Sequence, residues 1–170
     1  MMKCDIIVVG AGIAGCAAAI SLARLGYEVL LLERKLEEPD RIVGELLQPG
    51  GILALKELGL SSWLEGIGAM PVKGYHIYWK GEQVTFMYPR IPNSNSVRFE
   101  GRSFHHGRFI ARLREVALSE PRLTVIEGTV TNIVFDEGET QVTGVKFSKN
   151  GGSQCVVSVM CNAAHTFSGH

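Results

Sequence analysis

Three glycines and one acid carry the chemistry most visible in this sequence. Gly10, Gly12 and Gly15 follow one another as G-x-G-x-x-G, and Glu33 stands about twenty residues further on. Gly10 permits a tight strand-to-helix turn. Gly12 lets a diphosphate approach the backbone with no Cβ in the way, and Gly15 allows a helix to pack closely on a strand. A helix that starts here turns unpaired N–H groups and the positive end of its dipole toward the phosphates. An acid at the position of Glu33 accepts both hydroxyls of a ribose. It disfavours a cofactor with a 2′-phosphate, because two anions would meet, and it does not separate FAD from NAD.

The segments around these residues must place them. Asp5 to Val9 is a short apolar run rich in β-branched residues, as in a strand buried on both faces of a parallel sheet. Ala14 to Leu25 is rich in Ala and Leu and reads as a helix, with Gly26 where a C′ residue belongs. Glu28 to Leu32 reads as a second strand that ends on Glu33. A lone glycine motif could be a turn in some other βαβ unit. Strand, glycines, helix, strand and terminal acid in this order point to a dinucleotide site.

The chain has 170 residues and no net charge, enough for one domain with a real core and no match for nucleic-acid phosphates. Cys4, Cys16, Cys155 and Cys161 lack metal-ligand spacing and read as reduced thiols, with Cys16 packing as a small apolar residue. The adjacent His105 and His106 are not spaced to chelate a metal on a helix, and no metal site is expected. No segment is long enough to cross a bilayer, and the first strand follows almost directly on Met1, so the reading expects no leader or anchor. No Ser-His-Asp or paired-carboxylate site stands out.

After Glu33 a long loop rich in Pro and Gly carries Arg34, Arg41, Glu45 and Gln48 past the end of the second strand, where ligands of such sheets gather. Gly51 to Leu58 reads as a helix. Val72 to Trp79 and Gln83 to Tyr88 read as a hairpin around Lys80-Gly81-Glu82, with aromatics at 75, 78, 79, 86 and 88. Residues 89–103 look irregular. A helix then follows, with Phe109, Leu113, Val116 and Ala117 on its buried face and Arg112, Arg114 and Glu115 outward. Arg108 falls in its first turn, where the helix dipole opposes a cation unless an anion lies nearby. Pro121 to Glu127 returns to the parallel sheet. Thr129–Phe135, Gln141–Phe147 and Gln154–Met160 form an antiparallel meander, which suits an FAD-binding architecture better than an NAD dehydrogenase half.

The stretches RIVGELLQPGG at 41–51, GRSFHHGRF at 101–109 and ERKLEEPDR at 33–41, with the glycine motif, closely resemble the squalene monooxygenases, also called squalene epoxidases. The resemblance runs from about Cys4 to about Met160. It implies an FAD-dependent enzyme of sterol synthesis that converts squalene to 2,3-oxidosqualene. It also implies the endoplasmic reticulum membrane as its location and NADPH–cytochrome P450 reductase as its electron donor. Carried onto matching positions, the cofactor contacts are Gly10, Gly12, Ile13, Ala14, Gly15, Glu33, Arg34, Arg41, Leu46, Arg108 and Leu123. Gln48 and Tyr75 match a pair that the family places near the flavin and substrate.

The expected fold is α/β: a Rossmann-like FAD-binding domain with a parallel sheet, helices and a meander, and an inserted hairpin from a substrate domain. The FAD-binding part takes residues 1–71 and 100–160, the hairpin and its loop 72–99, and a divergent tail 161–170. In that tail Cys161-Asn162-Ala163-Ala164 stands where the family has an Asp-Gly segment, so the reading expects a truncated product. The competing reading is a fragment that binds FAD without turnover.

Overall fold

The computed structural model describes residues 3–40, 44–94, 96–138, 140–149 and 152–159. In chain order its elements begin with β1 (Lys3–Cys4), β2 (Ile6–Val9), α1 (Ile13–Arg24), β3 (Val29–Glu33), β4 (Gly44–Leu47) and α2 (Pro49–Glu57). A 3-10 turn at Ser61–Leu64 precedes β5 (Met70–Val72), β6 (Gly74–Trp79), β7 (Glu82–Met87) and β8 (Gly101–His105). The last elements are α3 (His106–Ser119), β9 (Leu123–Glu127), β10 (Thr129–Phe135), β11 (Val142–Ser148) and β12 (Gln154–Val159). The chain divides into two compact units, Met1–Glu37 with Leu113–His170, and Glu38–Arg112.

The first unit holds a parallel sheet in the order β2-β3-β9. Ile6 lies opposite Val29 and Val9 opposite Leu32, while Val29 faces Leu123 and Glu33 faces Glu127. Central β3 is apolar at every position but its last, and Val29 to Leu32 are buried accordingly. In α1 the buried residues Cys16, Ala19, Ile20 and Ala23 follow helical spacing, and their small side chains let the helix lie close to the sheet. Gly26, at φ +100, ends the helix region in the left-handed conformation that the sequence assigns to it. A second sheet runs β1-β12-β11-β10, antiparallel except for the β1–β12 pair. Cys4, Leu30, Leu32, Val145, Phe147 and Val157 form a shared apolar core. The turn between β10 and β11 is built by Asp136, whose carboxylate accepts the N–H groups of Thr140 at 2.8 Å and Gln141 at 3.0 Å. Those bonds hold its pKa below the ordinary carboxylate value, the one from Gln141 most.

The second unit contains an antiparallel sheet in the order β4-β8-β5 and the separate β6–β7 ribbon. It buries Leu60, Trp63 and Ile67 around the 3-10 turn, and Phe104 against Phe109 with ring centroids 4.5 Å apart. The ribbon turns through Lys80 and Gly81, at φ 49 and 89, two left-handed residues as a two-residue hairpin loop requires.

Several segments depart from what local sequence patterns predict. The stretch expected as a loop contains β4, and α2 starts at Pro49, a residue suited to the first helical turn. Val72 belongs to β5 instead of the hairpin, and residues 101–105, with no strand pattern of their own, form β8. These strands are short and interrupted by glycine and proline. Their pairing is with distant segments, so local alternation could not reveal it.

Candidate functional site

The glycine turn follows β2. Gly10 sits at φ +99, and its N–H donates to the Leu32 carbonyl at 2.7 Å, anchoring the turn to β3. A Cβ on Gly15 would run into the Gly10 carbonyl, so close approach of α1 to the turn demands glycine there. Gly12 is the N-cap of α1. It makes no side-chain cap, and the first turn holds no acid. The start of this helix thus has neither a side-chain cap nor an acid in its own first turn, and Ile13 and Ala14 are exposed there. A Cβ on Gly12 would meet nothing within 4 Å, so the space that a diphosphate needs is open.

Glu33 ends β3 and turns its carboxylate into this glycine turn. Its Oε2 accepts the Ala11 N–H at 2.7 Å, and its Oε1 accepts the Lys35 N–H at 3.2 Å. A carboxylate has about four acceptor sites, so capacity remains for ribose hydroxyls. Arg114 approaches from α3, with Nη2 3.7 Å from Glu33 Oε2. Its Nε donates to the Ala11 carbonyl at 3.1 Å and its Nη1 to the Glu37 carbonyl at 2.7 Å. Helical periodicity alone places Arg114 on the outward face of its helix. The structure corrects this: Arg114 is 7% exposed. No periodicity argument could find it, because a buried arginine is justified by carbonyls and a carboxylate that lie far away in the chain.

Cys16, in the first turn of α1, is fully buried. Burial pushes its thiol up to about 11; Arg114 nearby opposes that, and Glu33 adds to it. It is a packing residue and not a reactive thiol. Arg34 is exposed beyond the end of β3. Leu123 opens β9. Its register partner is Val29, whose own partner is Ile6, so it lies buried at the amino end of the sheet, away from the glycine turn. Glu127 is the β9 residue opposite Glu33, and its carboxylate accepts the Leu36 N–H at 2.9 Å.

In the second unit, Gln48 is the N-cap residue of α2. Its Nε2 donates to the Tyr75 hydroxyl, and its Oε1 accepts the Tyr88 hydroxyl at 2.7 Å. The Tyr75 and Tyr88 rings meet edge to face, 5.7 Å apart at 77°. The hydrogen bond with Tyr75, above all, pushes the Tyr88 phenol up to about 12. The sequence reading pairs Gln48 with Tyr75 and misses Tyr88 as their third partner; its only signal was its place among the hairpin aromatics. Leu46 is exposed on β4 opposite Ser103. Arg108 is exposed in the first turn of α3, with its guanidinium beside Gly68. His106 Nδ1 lies 2.6 Å from Glu45 Oε1. Arg41 lies outside the described residues.

A glycine turn leading into α1, with an acid at the end of the next parallel strand, is the arrangement of a dinucleotide-binding βαβ unit. The FAD dependent oxidoreductase family, DAO, matches residues 5–40. The fold is that of flavoproteins in solved structures. The myxobacterial chondrochloren halogenase CndH gives a TM-score of 0.80 at 24% identity over 94% of this chain and 36% of that one. The p-nitrophenol 4-monooxygenase of Pseudomonas putida gives 0.76 at 17% identity over 94% and 40%.

Over most of its length the sequence is similar to squalene epoxidases. It is 50% identical over 142 residues to the squalene epoxidase of Aspergillus fumigatus, covering 84% of this chain and 29% of the relative. It is 48% identical over 141 residues to that of Schizosaccharomyces pombe, covering 83% and 30%. The squalene monooxygenase SE2 of Panax ginseng is 49% identical over 148 residues, covering 86% and 26%. The chain thus spans less than a third of the length of these relatives.

Proposed function

We propose that the first unit binds the adenosine diphosphate half of FAD, and that the chain serves FAD-dependent epoxidation of squalene to 2,3-oxidosqualene. The observation that carries the binding step is the Glu33 carboxylate held in the glycine turn by the Ala11 N–H. The uncapped start of α1 takes the diphosphate, with Gly12, Ile13 and Ala14 offering backbone N–H groups. Glu33 takes the ribose hydroxyls. Arg34, exposed just past Glu33, supplies a cation; Arg41, Leu46 and Arg108 are assigned to FAD on the family resemblance alone.

FAD, when bound, supplies the redox chemistry and oxygen activation that no protein side chain offers. Gln48 and Tyr75 are assigned to the neighbourhood of the flavin and substrate. Their mutual hydrogen bond supports this, because it fixes an amide and a phenol relative to each other before any ligand arrives. The hairpin is assigned to a substrate domain. Squalene as substrate is supported by the similarity to the squalene epoxidases; NADPH–cytochrome P450 reductase as electron donor and the endoplasmic reticulum membrane as location rest on the family resemblance alone. Among the described residues no helix is long and apolar enough to cross a membrane.

The test has two arms. The chain is titrated with FAD, and quenching of flavin fluorescence is followed. It is then supplied with squalene, NADPH and the reductase, and 2,3-oxidosqualene is measured. Saturable binding is expected in the first arm. Binding without epoxide reduces the chain to a cofactor-binding module, and absence of binding overturns the assignment.

A further inference from the structure

We infer that Arg114 is a positioning residue that sets the glycine turn and Glu33 in their ligand-ready arrangement, and so governs recognition of the adenylate ribose and diphosphate. The inference rests on the adenylate reading above.

Arg114 holds two separate pieces of backbone. One N–H is given to the Ala11 carbonyl in the glycine turn, and another to the Glu37 carbonyl in the loop after β3. A guanidinium fork can do this from a single rigid plane. The Ala11 carbonyl belongs to the same peptide group as the Gly12 N–H. In a trans peptide these two point in opposite directions. Drawing the carbonyl inward to Arg114 therefore turns the Gly12 N–H the other way. Gly12 is exposed, with open space where a Cβ would be. Arg114 thus aims a backbone donor at the approaching diphosphate without touching the ligand.

The same side chain bears on Glu33. Its Nη2 lies 3.7 Å from Glu33 Oε2, too far for a good hydrogen bond and near enough for attraction between full charges. Arg114 therefore draws the carboxylate toward the turn and leaves its acceptor sites for hydroxyls. The Ala11 residue is gripped at both ends, its N–H by Glu33 and its carbonyl by Arg114.

The experiment uses the whole chain and calorimetric titration with ADP and with 2′,3′-dideoxy-ADP, in wild type, Arg114→Met and Arg114→Lys. Circular dichroism verifies that each variant is folded. Wild type is expected to prefer ADP by about tenfold or more, the worth of hydrogen bonds to a charged acceptor. Both variants are expected to bind ADP about tenfold more weakly and to lose most of that preference. Lysine keeps the charge but lacks the rigid planar fork that fixes both carbonyls, so Arg114→Lys remains informative if Arg114→Met does not fold. Folded variants with wild-type ADP affinity and wild-type preference would overturn the inference and leave the adenylate reading intact. A wild-type chain that binds neither nucleotide would remove both.

Discussion

The Ala11 N–H donates to the Glu33 carboxylate at 2.7 Å across a separation of 22 residues. This bond joins the turn after one strand to the end of the next, and it holds the ribose-binding acid where the phosphate-binding glycines are. Glu33→Ala removes the acceptor and leaves buried Arg114 facing no carboxylate. The expected cost is about 3 kcal/mol of stability, read by chemical denaturation, because a buried cation loses its partner. ADP affinity, measured by calorimetry, is expected to fall more than about tenfold.

Gly12 and Gly15 separate binding from folding. A Cβ on Gly12 meets nothing, whereas one on Gly15 runs into the Gly10 carbonyl. Gly12→Ala should therefore stay within about 0.5 kcal/mol of wild-type stability and lose at least about tenfold in FAD affinity. Gly15→Ala should lose about 3 kcal/mol of stability, since a packed backbone must move. Thermal melts with and without FAD distinguish the two.

Tyr88 provides a spectroscopic probe of the second unit. Its phenol is pushed up to about 12, chiefly by the hydrogen bond with Tyr75. The folded pKa lies above the unfolded one, so any stability the bond provides is present below about pH 10 and lost between there and about pH 12. Alkaline titration at the phenolate absorbance band should show one late tyrosine. Tyr75→Phe should return it to the main group; a late tyrosine surviving in that variant would refute the assignment.

The buried thiol of Cys16 is pushed up to about 11. Aromatic disulfide reagents at pH 8 should leave it unmodified until the chain unfolds, while half-buried Cys155 reacts earlier. Peptide mass mapping of the labelled protein reports the order.

The parts of this fold that were legible in the sequence are those built by neighbours. The βαβ unit announced itself because strand, turn and helix each have a local residue signature, and the meander because turn residues separate β-branched runs. What stayed hidden rests on distant pairing. The β4-β8-β5 sheet joins short segments far apart in the chain, with glycine or proline at their starts or centres. Arg114 looks solvated on a helical wheel, yet its guanidinium finds Ala11 and Glu37. Leu123 matched a family position by sequence, and only the strand register showed which end of the sheet it occupies.

The β6–β7 ribbon has a practical consequence for anyone handling this chain. Tyr75, Ile77 and Trp79 alternate along one strand, opposite Phe86, Val84 and Glu82 on the other. One side of the ribbon is thus an oily strip, and Tyr78 and Trp79 near its tip are each 70% exposed. A surface of this kind is costly to wet and readily adsorbs to plastic, dyes and micelles. Mild detergent or glycerol, and not a change of salt, is the additive that will keep concentrated samples dispersed.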